Sequence, residues 1–164
     1  MDDATIQLAG IIGPDQAVPG EGIGAASFET ALVRRVEPGP GDFDVLGHVN
    51  NVVYLRWVQD IAITHWNAVA PKDLDDRYFW IALKHTIEYR DPILPGEQAE
   101  IRTWFGKIHG PRFDRHVDIR KPGAKRYSSR SVTEWCCIDK QTKRPVRITD
   151  EILDPFGLVG VELG

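Results

Sequence analysis

A short polar turn followed by one long helical pattern limits the folds that this chain can adopt. The helical pattern consists of residues that recur at intervals of three, four and seven and so share one stripe: Tyr54, Val58, Ile61, Ala62, His65 and Val69. Further apolar residues lie beside that stripe: Val53, Leu55, Trp57 and Ile63. Pro71 ends the pattern. This distribution predicts a central helix that is enclosed on most sides.

The rest of the chain has the alternation of antiparallel strands, with Gly and Pro clusters between them. Five segments have this pattern: 27–36, 78–89, 98–108, 112–120 and 126–139. The first half of 78–89 is apolar without alternation, which predicts a strand covered on both faces. We expect residues 72–77 to form a charged connection and 145–156 to add a short strand or helix. One helix followed by a run of strands indicates an α+β domain with the helix on one sheet face.

The polar turn contains most of the residues that could take part in catalysis or shape a site: Asp42, Asp44, Gly47, His48, Asn50 and Asn51. Asn50 or Asn51 is suited to cap the helix, because an Asx side chain accepts a hydrogen bond from a first-turn N–H. Unpaired N–H groups and the helix dipole at that end favour an oxyanion. Asp44 reaches the same point if residues 45–49 turn back. A carboxylate beside an oxyanion hole is suited to attack on an acyl carbonyl.

Ordinary capping turns use the same residue types, so the turn has a purely structural alternative. A histidine such as His48 is more often a loop residue than a catalyst. Asp42 is expected to be structural or solvated, because the carboxylates of Asp42 and Asp44 cannot both be placed at one carbonyl. The concentration of these groups at the start of an apolar helix favours the functional interpretation.

The turn resembles the signature of the hot-dog-fold acyl thioesterases, which can be written DxDxxGHVNNxxYxxW. The matching residues are Asp42, Asp44, Gly47, His48, Val49, Asn50, Asn51, Tyr54 and Trp57. The similarity includes both the 4-hydroxybenzoyl-CoA thioesterase type and the acyl-ACP thioesterases of plants and bacteria. It extends over about residues 27–150, with a Y-x-x-P-x-x-x-G segment at Tyr89–Gly96.

The resemblance implies a hot-dog fold, in which a curled antiparallel sheet of about five strands wraps one long central helix. It implies hydrolysis of an acyl-CoA or acyl-ACP thioester to free acid and thiol, a reaction of fatty acid metabolism. Asp44 matches the catalytic carboxylate, as nucleophile or general base, and Asn51 matches the amide that polarises the carbonyl. The other signature residues are expected to shape the substrate site: Gly47, Val49, Asn50, Tyr54 and Trp57.

His48 is a secondary catalytic candidate by the same resemblance. In the acyl-ACP branch the matching histidine acts with an asparagine two residues earlier, and this chain has Leu46 there. Two alternatives stay open. The domain is a non-catalytic acyl-CoA sensor or scaffold, which has no use for an acid at Asp44, or it is a hydroxyacyl-thioester dehydratase that uses His48.

The composition and the positions of Gly and Pro limit the remaining expectations. Residues 1–24 mix Gly and Pro without a period and are expected to form a flexible arm, with 25–164 as a single domain. No signal-peptide or membrane-span pattern is present, so we expect a cytoplasmic protein without a membrane partner. A net charge of −4 gives no indication of a nucleic-acid surface. The adjacent Cys136 and Cys137 predict neither a framework disulfide nor a metal site.

The expected partners are the substrate carrier and further copies of the chain. The thioester of CoA or phosphopantetheine is the substrate, and no cofactor is expected. The candidates to meet the carrier are Arg112, Arg115, Lys121, Lys125, Arg126 and Arg130. Hot-dog domains pair with their sites at the subunit interface, and one sheet on one helix leaves an exposed edge. We therefore expect a homodimer, or a tetramer of two dimers.

Overall fold

A five-stranded antiparallel sheet dominates the computed structural model, which describes residues 26–164. Its strands are β1 (Leu32–Val36), β2 (Tyr78–Tyr89), β3 (Ala99–His109), β4 (Arg112–Arg120) and β5 (Ser129–Asp139). Their order across the sheet is β1-β3-β4-β5-β2, so β1 and β2 form the edges. The flexible arm expected at 1–24 lies outside the described residues.

The long helix α1 (Asn51–Val69) follows the polar turn and is the main partner of the sheet. Its buried side chains are Val53, Tyr54, Trp57, Val58, Ile61, Ala62, Thr64, His65 and Trp66. Two short helices complete the fold, α2 (Lys72–Arg77) and α3 (Asp150–Leu153), and a 3₁₀ turn at Asp154–Phe156 follows α3. Within residues 26–164, no helix has the length and apolar character needed to cross a bilayer.

A buried polar layer divides the core into two apolar clusters. Ile101 on β3 and Val117 on β4 belong to the cluster under the first half of α1. Phe105 and Phe113 belong to the cluster under its second half. Thr103 lies between Ile101 and Phe105 on β3, and Arg115 lies between Phe113 and Val117 on β4. Both polar residues are buried together with His65 of α1.

The observed elements confirm the five predicted strands, correct the bounds of three of them and add a helix at 72–77. The bounds of β2 and β4 are as predicted, and β3 is displaced by one residue. β1 begins only at Leu32, because Ser27 and Thr30 form local hydrogen bonds that compete with strand pairing. β5 begins at Ser129, after the turn. Residues 72–77 are helical, with acidic residues in the first turn and a Lys72–Asp76 ion pair one turn apart.

Two burial expectations are wrong for the single chain. α1 is not enclosed on most sides, because the sheet covers only one of its faces and leaves Val52 71% and Ile63 55% exposed. β2 is not covered on both faces, since Ile81 and Leu83 are 42% and 47% exposed; it is also an edge strand of the sheet. Apolar residues of both elements are therefore uncovered on the same protomer.

Gly106 on β3 is expected to tolerate no side chain. An added Cβ would lie 2.5 Å from Nε2 of His116 and 3.2 Å from Cβ of Asp114, and His116 is stacked on Trp104. Gly106→Ala should lower the free energy of unfolding by about 1–3 kcal/mol through overpacking, more than the about 0.4–1 kcal/mol that reduced chain entropy returns. Urea denaturation measures this.

Gly41→Ala is the matched control, because a Cβ at Gly41 meets nothing within 4 Å. Its free energy of unfolding should stay within about 0.5 kcal/mol of the original chain. Equal unfolding midpoints for the two variants would contradict the overpacking at Gly106.

Candidate active site

The polar turn closes on itself immediately before α1. Phe43 and Val49 pair as an antiparallel bridge. Inside that bridge the Asp44 N–H donates to the His48 carbonyl at 2.8 Å, and the Gly47 N–H donates to the Asp44 carbonyl at 3.0 Å. Gly47 has φ +75°, a left-handed conformation that glycine adopts without strain. Residues 45–49 thus turn back, which is the condition under which Asp44 reaches the start of the helix.

Asp44 uses one carboxylate oxygen to hold this turn and leaves the other without a donor. Its Oδ1 accepts hydrogen bonds from the N–H groups of Leu46 at 2.9 Å and His48 at 3.2 Å. Its Oδ2 receives no hydrogen bond from any of residues 26–164. The side chain is half-buried. One oxygen therefore fixes the carboxylate in place while the second can meet a ligand.

Asp42 has both oxygens occupied by the protein. Its Oδ2 accepts from the N–H of Gly39 at 2.9 Å, and its Oδ1 accepts from Nη2 of Arg56 on α1 at 2.8 Å. These bonds tie the segment before the turn to the helix. These two bonds agree with the expectation that Asp42 is structural or solvated.

The start of α1 presents one unpaired backbone donor. Asn50 is the N-cap, with φ −61° and ψ 139°, and its Oδ1 accepts from the Val52 N–H at 3.0 Å. The Val53 N–H donates to the Asn50 carbonyl at 2.9 Å. In the described part of the chain, no acceptor takes the N–H of Asn51. This is the orphan donor of a helix end, located where the dipole is positive.

A cleft of about 450 Å³ contains most of the predicted site residues. Six of them line it: Asp44, His48, Val49, Asn50, Asn51 and Tyr54. The two others do not. Gly47 shapes the turn, and Trp57 is only 2% exposed and packs in the core with its ring edge-on to Tyr54. The imidazole of His48 makes no hydrogen bond within residues 26–164, so no neighbour orients it as a base.

The sequence analysis did not identify the far wall of this cleft, which Tyr89, Arg90, Pro92 and Ser128 form. The Tyr89 hydroxyl donates to the Asn51 carbonyl at 3.3 Å, and its ring lies edge-on to Tyr54. The hydroxyl of Tyr54 accepts from the Ile93 N–H at 3.3 Å. Burial raises the pKa of both tyrosines, so both are neutral phenols at neutral pH. Tyr89 and Pro92 are the Tyr and the Pro of the Y-x-x-P-x-x-x-G segment, a local signal that could have identified them, whereas Ser128 has no such pattern. Strand register brings these residues to α1 from distant segments.

A second cavity of about 310 Å³ lies between the second half of α1 and the sheet. We call it the aromatic cavity, because of the rings that line it: Trp66, Tyr78, Phe79, Trp80, Phe105, Phe113 and Trp135. Gln59, Ile63 and Asp75 are its exposed members and mark the mouth, whereas Arg115 is buried and marks the interior.

Cysteine and metal chemistry have no support in the described residues. Cys136 and Cys137 are both free and buried. Burial raises the pKa of the Cys137 thiol to about 12, which disfavours a thiolate nucleophile. No group of three or more His, Cys, Asp or Glu residues within 26–164 is arranged to hold a metal ion.

Comparison with known proteins gives one family match. The model of the thioesterase-like superfamily matches residues 38–156, more than two thirds of the chain, including the turn, α1 and four of the five strands. Among curated proteins, no sequence matches this chain.

Many solved structures share this fold at low sequence identity. A hypothetical protein from Staphylococcus aureus in complex with CoA has 12% identity and a TM-score of 0.70, over 80% of this chain and 85% of that one. A 1,4-dihydroxy-2-naphthoyl-CoA thioesterase from Synechocystis has 12% identity and a TM-score of 0.65, over 76% and 94%. A thioesterase complexed with coenzyme A and Zn from Thermus thermophilus has 19% identity and a TM-score of 0.65, over 78% of this chain and 93% of that one. These similarities confirm the expected hot-dog fold.

Proposed function

Because this chain belongs to the thioesterase-like superfamily, we propose that it hydrolyses an acyl thioester in the cleft at the start of α1. One observation carries the proposal. Asp44, which has a carboxylate oxygen without a donor, and Asn51, whose backbone N–H has no acceptor within residues 26–164, line the same cleft. A base or nucleophile and an oxyanion donor are the two groups that attack on a thioester carbonyl requires.

In the proposed mechanism the thioester oxygen accepts a hydrogen bond from the Asn51 N–H, whose strength increases as negative charge develops on that oxygen. Asp44 then acts by one of two routes. As a nucleophile, its free oxygen attacks the carbonyl carbon, the thiolate leaves, and water hydrolyses the resulting mixed anhydride. As a general base, it takes a proton from the water that attacks, and the thiolate leaves with a proton.

Hydrolysis in oxygen-18 water tests the nucleophilic route in which water attacks the Asp44 carbon of the mixed anhydride. Repeated turnovers place label in the Asp44 carboxylate only if that carboxylate attacks the carbonyl. Mass spectrometry of the peptide that contains residue 44 reads the result.

We propose a CoA thioester as the substrate, with the phosphates near the connection between β4 and β5. Three of the six basic candidates are paired with acids: Arg112, Lys121 and Arg130. Lys125 and Arg126 are exposed and form no ion pair within the described part of the chain. They precede Ser128, which lines the cleft beside Arg90. Arg115 is excluded from this role, because it is only 3% exposed.

We propose that the acyl group of a thioester bound in one cleft occupies the aromatic cavity of a second copy of the chain. β2 carries Tyr78 and Trp80 of the aromatic cavity at one end and Tyr89 of the cleft at the other. From Trp80 to Tyr89 the strand spans roughly 30 Å at about 3.3 Å per residue. If two β2 edges pair antiparallel about their midpoints, the aromatic cavity of one protomer comes beside the cleft of its partner. Such pairing also covers the exposed edge and Ile81.

We predict a dimer or a dimer of dimers in solution, and Leu83→Glu tests the interface. Leu83 is the bulged residue at the midpoint of β2 and is 47% exposed in the single chain. Like charges at a two-fold interface repel, so the variant should dissociate to monomers at micromolar concentration in sedimentation velocity. Val159→Glu, exposed to a similar extent at 44%, is the control and should sediment as the original chain does. A monomeric original chain would contradict the interface.

Thiol release tests the proposed function. Acyl-CoA esters of several chain lengths and benzoyl-type esters are incubated with the protein, and free thiol is titrated. Release from at least one class of ester is expected. Binding of acyl-CoA without thiol release from CoA or carrier-protein esters would instead indicate a sensor or scaffold.

A further inference from the structure

Arg115 carries a buried charge that no acidic residue in the described part of the chain balances. It is 3% exposed on β4 and forms no ion pair with any of residues 26–164. Its Nη1 donates to Nδ1 of His65 at 3.0 Å and to Oγ1 of Thr103 at 3.1 Å. Phe105 and Phe113 place their rings 4.5 and 5.4 Å from the guanidinium carbon. A guanidinium in such surroundings is costly to bury unless an anion compensates it.

The other edge of this guanidinium makes no hydrogen bond with residues 26–164. Nε is buried without an acceptor, and Nη2 donates no hydrogen bond within the described residues. Nε and Nη2 form the parallel pair of donors that binds a carboxylate in a bidentate manner. Elsewhere in the same sheet this pair is occupied: Arg120 binds Asp118 through Nε at 2.6 Å and Nη2 at 2.7 Å. Arg115 has the same pair of donors, and no carboxylate among residues 26–164 meets it.

The aromatic cavity supplies the space for an external acceptor. Arg115 lines it, and the indole N–H groups of Trp80 and Trp135, which also line it, are buried without an acceptor within residues 26–164. Among the described residues that line the cavity, Asp75 is the only carboxylate; it is exposed at the mouth and accepts from Nε1 of Trp66 at 2.8 Å. Lys140, beside it, donates to the Asp75 carbonyl. Burial lowers the pKa of Arg115 to about 9, which leaves it charged at neutral pH.

We propose that the aromatic cavity binds an acyl group that ends in a carboxylate, held by Nε and Nη2 of Arg115. This inference rests on the proposed function and names its substrate class: the CoA half-thioester of a dicarboxylic acid. The thioester end lies at the cleft of the partner, and the distal carboxylate enters the cavity. An uncharged acyl group would leave the buried guanidinium unpaired, so the site should discriminate strongly against it.

The kinetic test compares CoA esters of equal length that differ only in the distal carboxylate, such as adipyl-CoA against hexanoyl-CoA, with chains of four to eight carbons. We expect kcat/KM to favour the carboxylated ester at least about 100-fold at the best length. Arg115→Met should remove this preference, and Arg112→Met, an exposed arginine on the same strand, should retain it. Equal or faster hydrolysis of the uncharged esters by the original chain would overturn the proposal and leave thioester hydrolysis standing.

A binding test needs no catalysis and so separates the two proposals. The fluorescence of the tryptophans that line the cavity is followed while 3-phenylpropionate or 3-phenylpropionamide is added to the original chain. We expect the carboxylate to bind at least about tenfold more tightly than the amide, since only it pairs with the charge. Equal affinities overturn the proposal even if Arg115→Met does not fold. The preference for carboxylate supports it even if no ester is hydrolysed.

Discussion

Asp44→Asn is expected to lower kcat for thioester hydrolysis by about 10²–10⁴-fold, the range that a positioned acid or base contributes. The asparagine keeps an oxygen that can accept from the N–H groups of Leu46 and His48, as Oδ1 of Asp44 does. The turn should therefore retain its shape while the ionised oxygen is lost. Steady-state kinetics and urea denaturation measure the two effects, and the free energy of unfolding should change by less than about 0.5 kcal/mol. Alanine at position 44 would remove both oxygens, so its effect on catalysis could not be separated from its effect on the turn.

Asp42→Asn is the matched control, two residues away in the same segment. Its oxygens bond Gly39 and Arg56 and do not line the cleft. We expect kcat to stay within a few-fold and the free energy of unfolding to fall by about 1 kcal/mol or less, as for other partly exposed ion pairs. If Asp42→Asn abolished turnover while Asp44→Asn retained it, the two roles would be reversed.

Asn51→Pro should reduce kcat by about 10²–10³-fold without unfolding the helix. Proline removes the N–H of residue 51, the proposed oxyanion donor, and one such donor is worth about 2.7–4 kcal/mol in the transition state. Position 51 is the first residue of α1, where proline is well tolerated. Asn50 has the extended conformation that a residue before proline prefers. Circular dichroism and kinetics on the purified variant check both statements.

Asn51→Ala separates the backbone donor from the side chain. It removes the amide group and keeps the N–H, so kcat should remain within a few-fold of the original value. Loss of activity in Asn51→Ala equal to that in Asn51→Pro would assign the role to the side chain. Full activity in Asn51→Pro would remove residue 51 from the oxyanion site.

The turn was predictable from the sequence because its determinants are local. The spacing from Asp44 to Asn51, the glycine at 47 and the asparagine cap all act within ten residues, and the helix began where the cap predicted. The turn of residues 45–49 followed from the same local reasoning. The wall formed by Tyr89 and Ser128 did not, because pairing between distant strands sets its position.

Burial was the weakest part of the sequence interpretation. The sequence places Arg115 among the basic candidates to meet the carrier, and only the structure shows that it is enclosed. Sequence patterns report which face a residue occupies but not which ligand compensates its charge. The apolar runs of α1 and β2 indicate that both elements are enclosed, but a single protomer leaves them partly exposed. We propose that a partner subunit covers them.

The structure of Asp44→Asn with an unhydrolysed acyl-CoA bound tests the central claim most directly. We predict the thioester oxygen about 2.7–3.1 Å from the backbone nitrogen of Asn51, with the side chain at position 44 about 3–3.5 Å from the carbonyl carbon. A thioester bound away from the start of α1, with the Asn51 N–H donating to solvent, would contradict it.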